Sequence, residues 1–251
     1  MHILLSNDDG VEAPGLTALY RAMDSKHRIT VVAPDGERSS CGHSVHLNDD
    51  IAVCKRRVEP FGDVFAVAGT PADCVRLAIA ELAGESIDWV FSGINLGANV
   101  SVVDAHCSGT LAAAREAAFT GIRAAAFSQM FRKGQPVDWA RSTKIVADLV
   151  QRLTSQEISD GTFWSCNLPA LAAGQAGRGV QVLPLSPDHI PLVFERRAGD
   201  SDSANTYRYA GYYEGRASRP GCDVAAVFDG YVVLTPLRVD QTDYTQCPPA
   251  D

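Results

Sequence analysis

Ser6-Asn7-Asp8-Asp9-Gly10 places two adjacent carboxylates and two uncharged oxygen donors directly after the apolar run Ile3-Leu4-Leu5. On a continuing strand Asp8 and Asp9 would point to opposite faces. A turn at Gly10, which tolerates positive φ, brings both toward one ion. Carboxylate oxygens with few soft ligands suit Mg²⁺ or Mn²⁺, which keep water or substrate phosphate in their remaining positions. Standing alone, Asn-Asp-Asp-Gly is more often a solvated turn, because turns are rich in these residues.

The surroundings raise the first reading. Ligands of open parallel α/β sheets bind beyond the carboxyl ends of the strands, and three polar loops fit that position. The first is Ser6 to Gly15. The second runs from Asp35 to Ser44 after Val31-Val32-Ala33, and the third from Ser92 to Asn99 after Trp89-Val90-Phe91. Asp8, Asp9, a hydroxyl of the second loop and an amide oxygen of the third would form an oxygen-rich half-shell open to solvent. Cys107-Ser108-Gly109-Thr110 then opens a helix, whose unpaired N–H groups and dipole make an anion site suited to phosphate. Ser-Gly-Thr is equally an ordinary cap, so the phosphate reading depends on the metal site beside it. No GxxxxGK[ST] occurs and no GxGxxG follows the first strand, which excludes a P-loop and a dinucleotide fingerprint. The Asp-x-Asp spacing of phosphatases that form an aspartyl-phosphate is also missing at residues 7–10.

The elements that must hold these loops follow a βαβ rhythm. A strand at Ile3 to Leu5 precedes a helix from about Gly15 to Met23 and a strand from Ile29 to Ala33. Thr70-Pro71 caps a helix whose Val75, Ala78, Ile79 and Leu82 share one face. Ile87 to Phe91, Ile122 to Phe127 and Thr162 to Cys166 read as strands, and Ser108 to Phe119 and Trp139 to Leu153 as helices. The pattern predicts a doubly wound, mostly parallel α/β sheet. From about residue 167 the helical period disappears, prolines recur at 169, 184, 187 and 191, and four tyrosines lie between 207 and 213. Val180 to Leu183, Tyr207 to Tyr213 and Tyr231 to Leu234 read as strands, so a β-rich extension without helices is expected.

The chain has 251 residues and a net charge of −8, from 30 acidic against 22 basic side chains. It carries no basic block, so a nucleic-acid duplex is not an expected partner. Neither a membrane-length apolar run nor a basic-then-apolar leader is present, and the expected location is cytoplasmic, away from membranes. Seven cysteines without CxxC spacing fit reduced thiols better than a disulfide frame.

Five segments together resemble the SurE family, the survival protein E nucleotidases: LLSNDDG (Leu4–Gly10), VVAPDGERS (Val31–Ser39), GTPADCV (Gly69–Val75), SGINLGAN (Ser92–Asn99) and SGTLAAAREA (Ser108–Ala117). Asp223 to Val227 and Gly230 to Leu237 extend the resemblance over nearly the whole chain. It implies a Rossmann-like, three-layer core over residues 1–166. It also implies an extension over 167–251 that returns to the core and builds a homodimer or homotetramer. The implied activity is that of a metal-dependent acid phosphatase acting on nucleoside 5′- and 3′-monophosphates. One divalent ion per subunit, Mg²⁺ or Mn²⁺, would be held at positions matching Asp8, Asp9, Ser39 and Asn95. The two aspartates would also act on the attacking water, and positions matching Asn7, Ser40, Asn99, Ser108, Gly109 and Thr110 would line the pocket. The family usually has Asn-Ser where this chain has His43-Ser44, and often Tyr where it has Cys107. His43 is a candidate phosphate ligand or proton donor, with a structural role left open, and Cys107 reads as packing. The rival reading is a non-catalytic nucleotide-binding module that uses the same crevice.

Overall fold

The computed structural model describes residues 1–23, 25–197, 205–211 and 215–247. Nine strands form one sheet and two more form a separate hairpin. The sheet is built from β1 (His2–Ser6), β2 (Arg28–Pro34), β3 (Val53–Val58), β4 (Gly62–Val67), β5 (Trp89–Leu96), β6 (Arg123–Gln129), β7 (Thr162–Leu168), β8 (Val180–Val182) and β11 (Val232–Arg238). Their order is β3-β4-β2-β1-β5-β6-β7-β11-β8. The six strands from β4 to β7 in that order run parallel. Counted along the chain they stand 3-2-1-4-5-6, the Rossmann arrangement, whose winding reverses between β1 and β5.

Both faces of this sheet are covered. Every residue of β1 is buried, and its alternation divides the core. Ile3 and Leu5 pack with Leu16 and Leu19 of α1 (Pro14–Arg21) and with Val146, Leu149 and Leu153 of α5 (Trp139–Thr154). Leu4 faces the other way, toward Val75 of α2 (Pro71–Leu77) and Leu111 and Ala114 of α4 (Gly109–Phe119). The alanines of α4 are buried from end to end, so this helix approaches the sheet closely. Among the described residues no helix is long and apolar enough to cross a membrane.

The structure departs from expectation in four places. The segment read as a third loop from Ser92 continues as strand to Leu96, with its register against β6 shifting between Ser92 and Asn95. A seven-residue helix α3 (Ser101–Cys107) precedes α4. β3 and β4 form an antiparallel edge hairpin that no sequence signal had suggested. The extension is not free of helix: α6 (Asp223–Phe228) has six residues, too few to display a periodicity. β11 enters the main sheet antiparallel to β7 and brings β8 with it. The other two strands, β9 (Phe194–Arg197) and β10 (Thr206–Tyr209), pair only with each other. Tyr212 and Tyr213 lie outside the described residues.

Candidate active site at the switch point

The carboxyl ends of β1 and β5 lie side by side, with Ser6 in register with Ser92, so the loops that follow them share one crevice. Gly10 has φ +100°, and this left-handed residue turns the chain back after Asp9. Asn7 holds that turn: its amide nitrogen donates to the Gly10 carbonyl at 2.9 Å, and its Oδ1 accepts the Gly10 N–H at 3.2 Å. The Arg38 N–H donates to the Asp8 carbonyl at 2.7 Å, which ties the second loop to the first.

Asp8 is only 5% exposed. Its Oδ1 accepts the Thr110 hydroxyl at 2.5 Å, which seats the carboxylate over the start of α4. That seat requires Gly109, because a Cβ there would lie 2.9 Å from Asp8 Cβ and 3.1 Å from both Cys41 Sγ and Pro71 Cγ. Burial pushes the Asp8 carboxyl up to about 6, and the neighbouring Asp9 charge adds to this against the Thr110 hydrogen bond. The Asp9 carboxyl is also raised, by burial and then by Glu37, although its Oδ2 accepts the Leu96 N–H at 3.2 Å.

A cleft of about 220 Å³ opens beside Asp8, lined by Ser39, Ser40, Asn95, Asn99 and Ser108 together with Leu96, Ala98, Asp104 and Cys107. Asn95 donates its amide N–H to the Gly97 carbonyl at 2.8 Å, which leaves its Oδ1 as an acceptor. Ser39 donates its hydroxyl proton to Glu37 at 2.6 Å, so the lone pairs of its Oγ stay available. Among the described residues no three His, Cys, Asp or Glu side chains group as a metal site. An ion here would instead have two carboxylates and two neutral oxygens. Two carboxyls raised by burial and facing neutral acceptors are short of positive charge, which is what a hard divalent cation supplies.

The predicted residues therefore divide. Asp8, Ser39, Ser40, Asn95, Asn99 and Ser108 meet in one cleft, and Asp9 borders an adjoining one. Asn7 and Thr110 are buried behind them as supports, and Gly109 provides the clearance. Ser108 also caps α4, its hydroxyl oxygen accepting the Leu111 N–H at 3.1 Å. Asn99 is braced by Ser128 and Asn167. His43 points away to Glu116, with Nε2 2.7 Å from the carboxylate and Nδ1 3.4 Å from Arg115, and its ring packs edge-on against Phe119. Asp104 and Arg216 were missed. The Arg216 guanidinium reaches from the extension to Asp104 at 2.7 Å, and the only sequence trace is an isolated charge in each of two segments.

A Rossmann-ordered α/β protein with an oxygen-rich crevice at its switch point is the class that this fold and site define. Within that class the chain belongs to the SurE family: the family model described as Survival protein SurE matches residues 3–190. It is 38% identical over 248 residues to the 5′-nucleotidase SurE of Syntrophobacter fumaroxidans, spanning 97% of this chain and 96% of that protein. Identity to the 5′-nucleotidase SurE of Heliobacterium modesticaldum is 36% over 246 residues, 98% of this chain and 89% of the relative. The crystal structure of the SurE protein from Aquifex aeolicus superposes with a TM-score of 0.82 at 32% identity, covering 98% of this chain and 96% of that one.

Proposed function

We propose that the chain hydrolyses nucleoside 5′- and 3′-monophosphates to nucleoside and phosphate, using one divalent ion, Mg²⁺ or Mn²⁺. The observation that carries this reading is the under-compensated pair of buried Asp8 and half-buried Asp9, close to neutral oxygens and a helix start in a member of a family whose relatives are named 5′-nucleotidases. Asp8, Asp9, Ser39 and Asn95 would hold the ion. When bound, such an ion neutralises phosphoryl charge and lowers the pKa of water. The chain's own groups do the rest. Ser108, at the start of α4, presents the phosphate to a positive helix end. Ser40 and Asn99 line the same cleft and can donate to phosphoryl oxygens. Either aspartate can orient the attacking water and take its proton.

Phosphate release from a panel of nucleoside 5′- and 3′-monophosphates, with Mn²⁺, with Mg²⁺ and with chelator, is the test. Release that depends on the cation supports the reading. Tight nucleotide binding with no release under any cation would replace it with the binding-module alternative. All seven cysteines are free thiols, which supports a reducing compartment such as the cytoplasm. Exposed Leu192, Val193, Phe194, Tyr207 and Tyr209 on and beside the β9–β10 hairpin support self-association as a homodimer or homotetramer. A particle of single-chain mass in light scattering at micromolar concentration would refute that part.

A further inference from the structure

A second cleft, of about 440 Å³, adjoins the polar one at the same carboxyl edge of the sheet. Leu96 lines both, and Asp9 borders the second as Asp8 borders the first. The two differ in chemistry. The polar cleft has the size and donors for an ion and a phosphoryl group. The second falls in the size range of small-molecule sites and is walled mainly by Phe131, Trp139, Pro136, Val137 and Leu96, with Asp9, Glu37 and Gln135 as its few polar groups. Phe131 is 48% exposed and Leu96 49%, so two large apolar surfaces stand in water at the cleft, and Phe131 packs on no other ring among the described residues. Gln135 donates its amide N–H to the Leu171 carbonyl at 2.6 Å, which leaves Oε1 as an acceptor. Glu37 accepts the Ser39 hydroxyl through Oε1, which leaves Oε2.

We infer that this cleft receives the nucleoside half of the substrate, with the base against Phe131 and Trp139 and the sugar hydroxyls donating to Glu37. The inference rests on the nucleotidase reading above. A substrate whose phosphate lies beside Asp8 and Asp9 must leave the polar cleft on one side, and the Asp9 and Leu96 side leads directly onto aromatic surface. A ring system stacked there gains attraction and removes Phe131 from water, and it does so for any base, because every base has a π-face. Gln135 Oε1 can accept from an exocyclic amine.

The experiment compares Phe131→Ala and Phe131→Trp with wild type in the full-length chain at saturating Mn²⁺. The substrates are 5′-AMP and ribose 5-phosphate, which carries the same sugar and phosphate without the base. Phe131→Ala should raise KM for AMP about tenfold, the size of one lost base–aromatic stack, and move KM for ribose 5-phosphate less than twofold. Phe131→Trp should restore the AMP value. Equal changes for both substrates, or no change for AMP, would overturn the assignment. AMP binding to the metal-free proteins, followed by calorimetry, separates this from failure of the nucleotidase reading. If wild type hydrolyses neither ester yet binds AMP about tenfold more tightly than Phe131→Ala, the cleft assignment stands and the catalytic reading fails. Equal binding by the two proteins, or binding by neither, removes the assignment.

Discussion

Asp8 and Asp73 are buried almost equally, at 5% and 2% exposed, yet their carboxyls shift in opposite directions. Asp73 accepts the Thr70 N–H at 2.9 Å, the His46 N–H at 3.0 Å and the His46 ring nitrogen at 2.6 Å, while its own N–H completes a capping box with Thr70. Burial alone would raise it, but these donors hold it below the usual carboxylate range. Asp8 has the Thr110 hydroxyl, some help from nearby main chain and a second carboxylate as neighbour, and it rises to about 6. One carboxylate is saturated by its own fold. The other, more deeply enclosed and with fewer donors, is left deficient beside a cleft, which marks it as the candidate binding group of the two.

The strongest way to break this contrast is to neutralise the deficient pair. Asp8→Asn or Asp9→Asn should cut phosphate release by a factor on the order of 10³, because several kcal/mol of cation-dependent charge stabilisation is lost. The circular dichroism spectrum should be unchanged. Full turnover by Asp8→Asn at saturating Mn²⁺ would end the assignment.

Titration sharpens the contrast next. Asp8 has a folded pKa of about 6 against 3.8 for the free side chain, so the folded state holds its proton more tightly. Its contribution is complete below about pH 4 and is lost as pH rises through 6, up to about 3 kcal/mol in the metal-free protein. Metal-free Asp8→Asn should lack that slope and melt at or above wild type at pH 7. Mn²⁺ should raise the wild-type Tm more at pH 7 than at pH 5. Asp73 has the opposite sign. Its lowered carboxyl contributes stability above pH 3.8 that disappears as pH falls further. Asp73→Ala should cost about 2 kcal/mol in urea unfolding at pH 7, since it strands buried donors and removes a cap. A variant as stable as wild type would show that the His46 and Thr70 contacts are energetically idle.

The smallest effect is expected at His43→Asn. The His43–Glu116 bridge is mostly shielded, and its loss should cost about 1 kcal/mol or less, with cation affinity measured by calorimetry almost unaltered. A large loss of cation affinity would place His43 much closer to the ligand set than its contact with Glu116 implies.

Most of the parallel core could be read from sequence because its strands were short apolar runs set among helical periods, as in Ile29 to Ala33 and Val146 to Leu153, whereas β4, the parallel strand beside β2, was not. The cleft residues were legible for a related reason: polar groups directly after apolar strands have few places to go. What escaped was tertiary. Asn7 and Thr110 read in sequence as pocket lining, and what sequence did not show is that each also braces the site, Asn7 through Gly10 and Thr110 by donating to Asp8. His43 belongs to a polar loop, and its partner Glu116 sits on a helix 73 residues away. β3 is mostly exposed, so its Cys54-Lys55-Arg56-Arg57 stretch carries no alternation, and α3 and α6 are too short for a period.

The Arg216 guanidinium adds a consequence for how quickly an anion arrives. Asp104 lines the same cleft as Asp8, so without a counter-charge the entrance would present a second carboxylate to an incoming phosphate dianion. Arg216 lies against Asp104 and offsets its charge from a part of the chain more than a hundred residues away. The extension thereby acts as a ballast on the field at the mouth of the crevice. Encounter rates with anionic ligands, and their dependence on ionic strength, should therefore respond to Arg216→Ala in the tail.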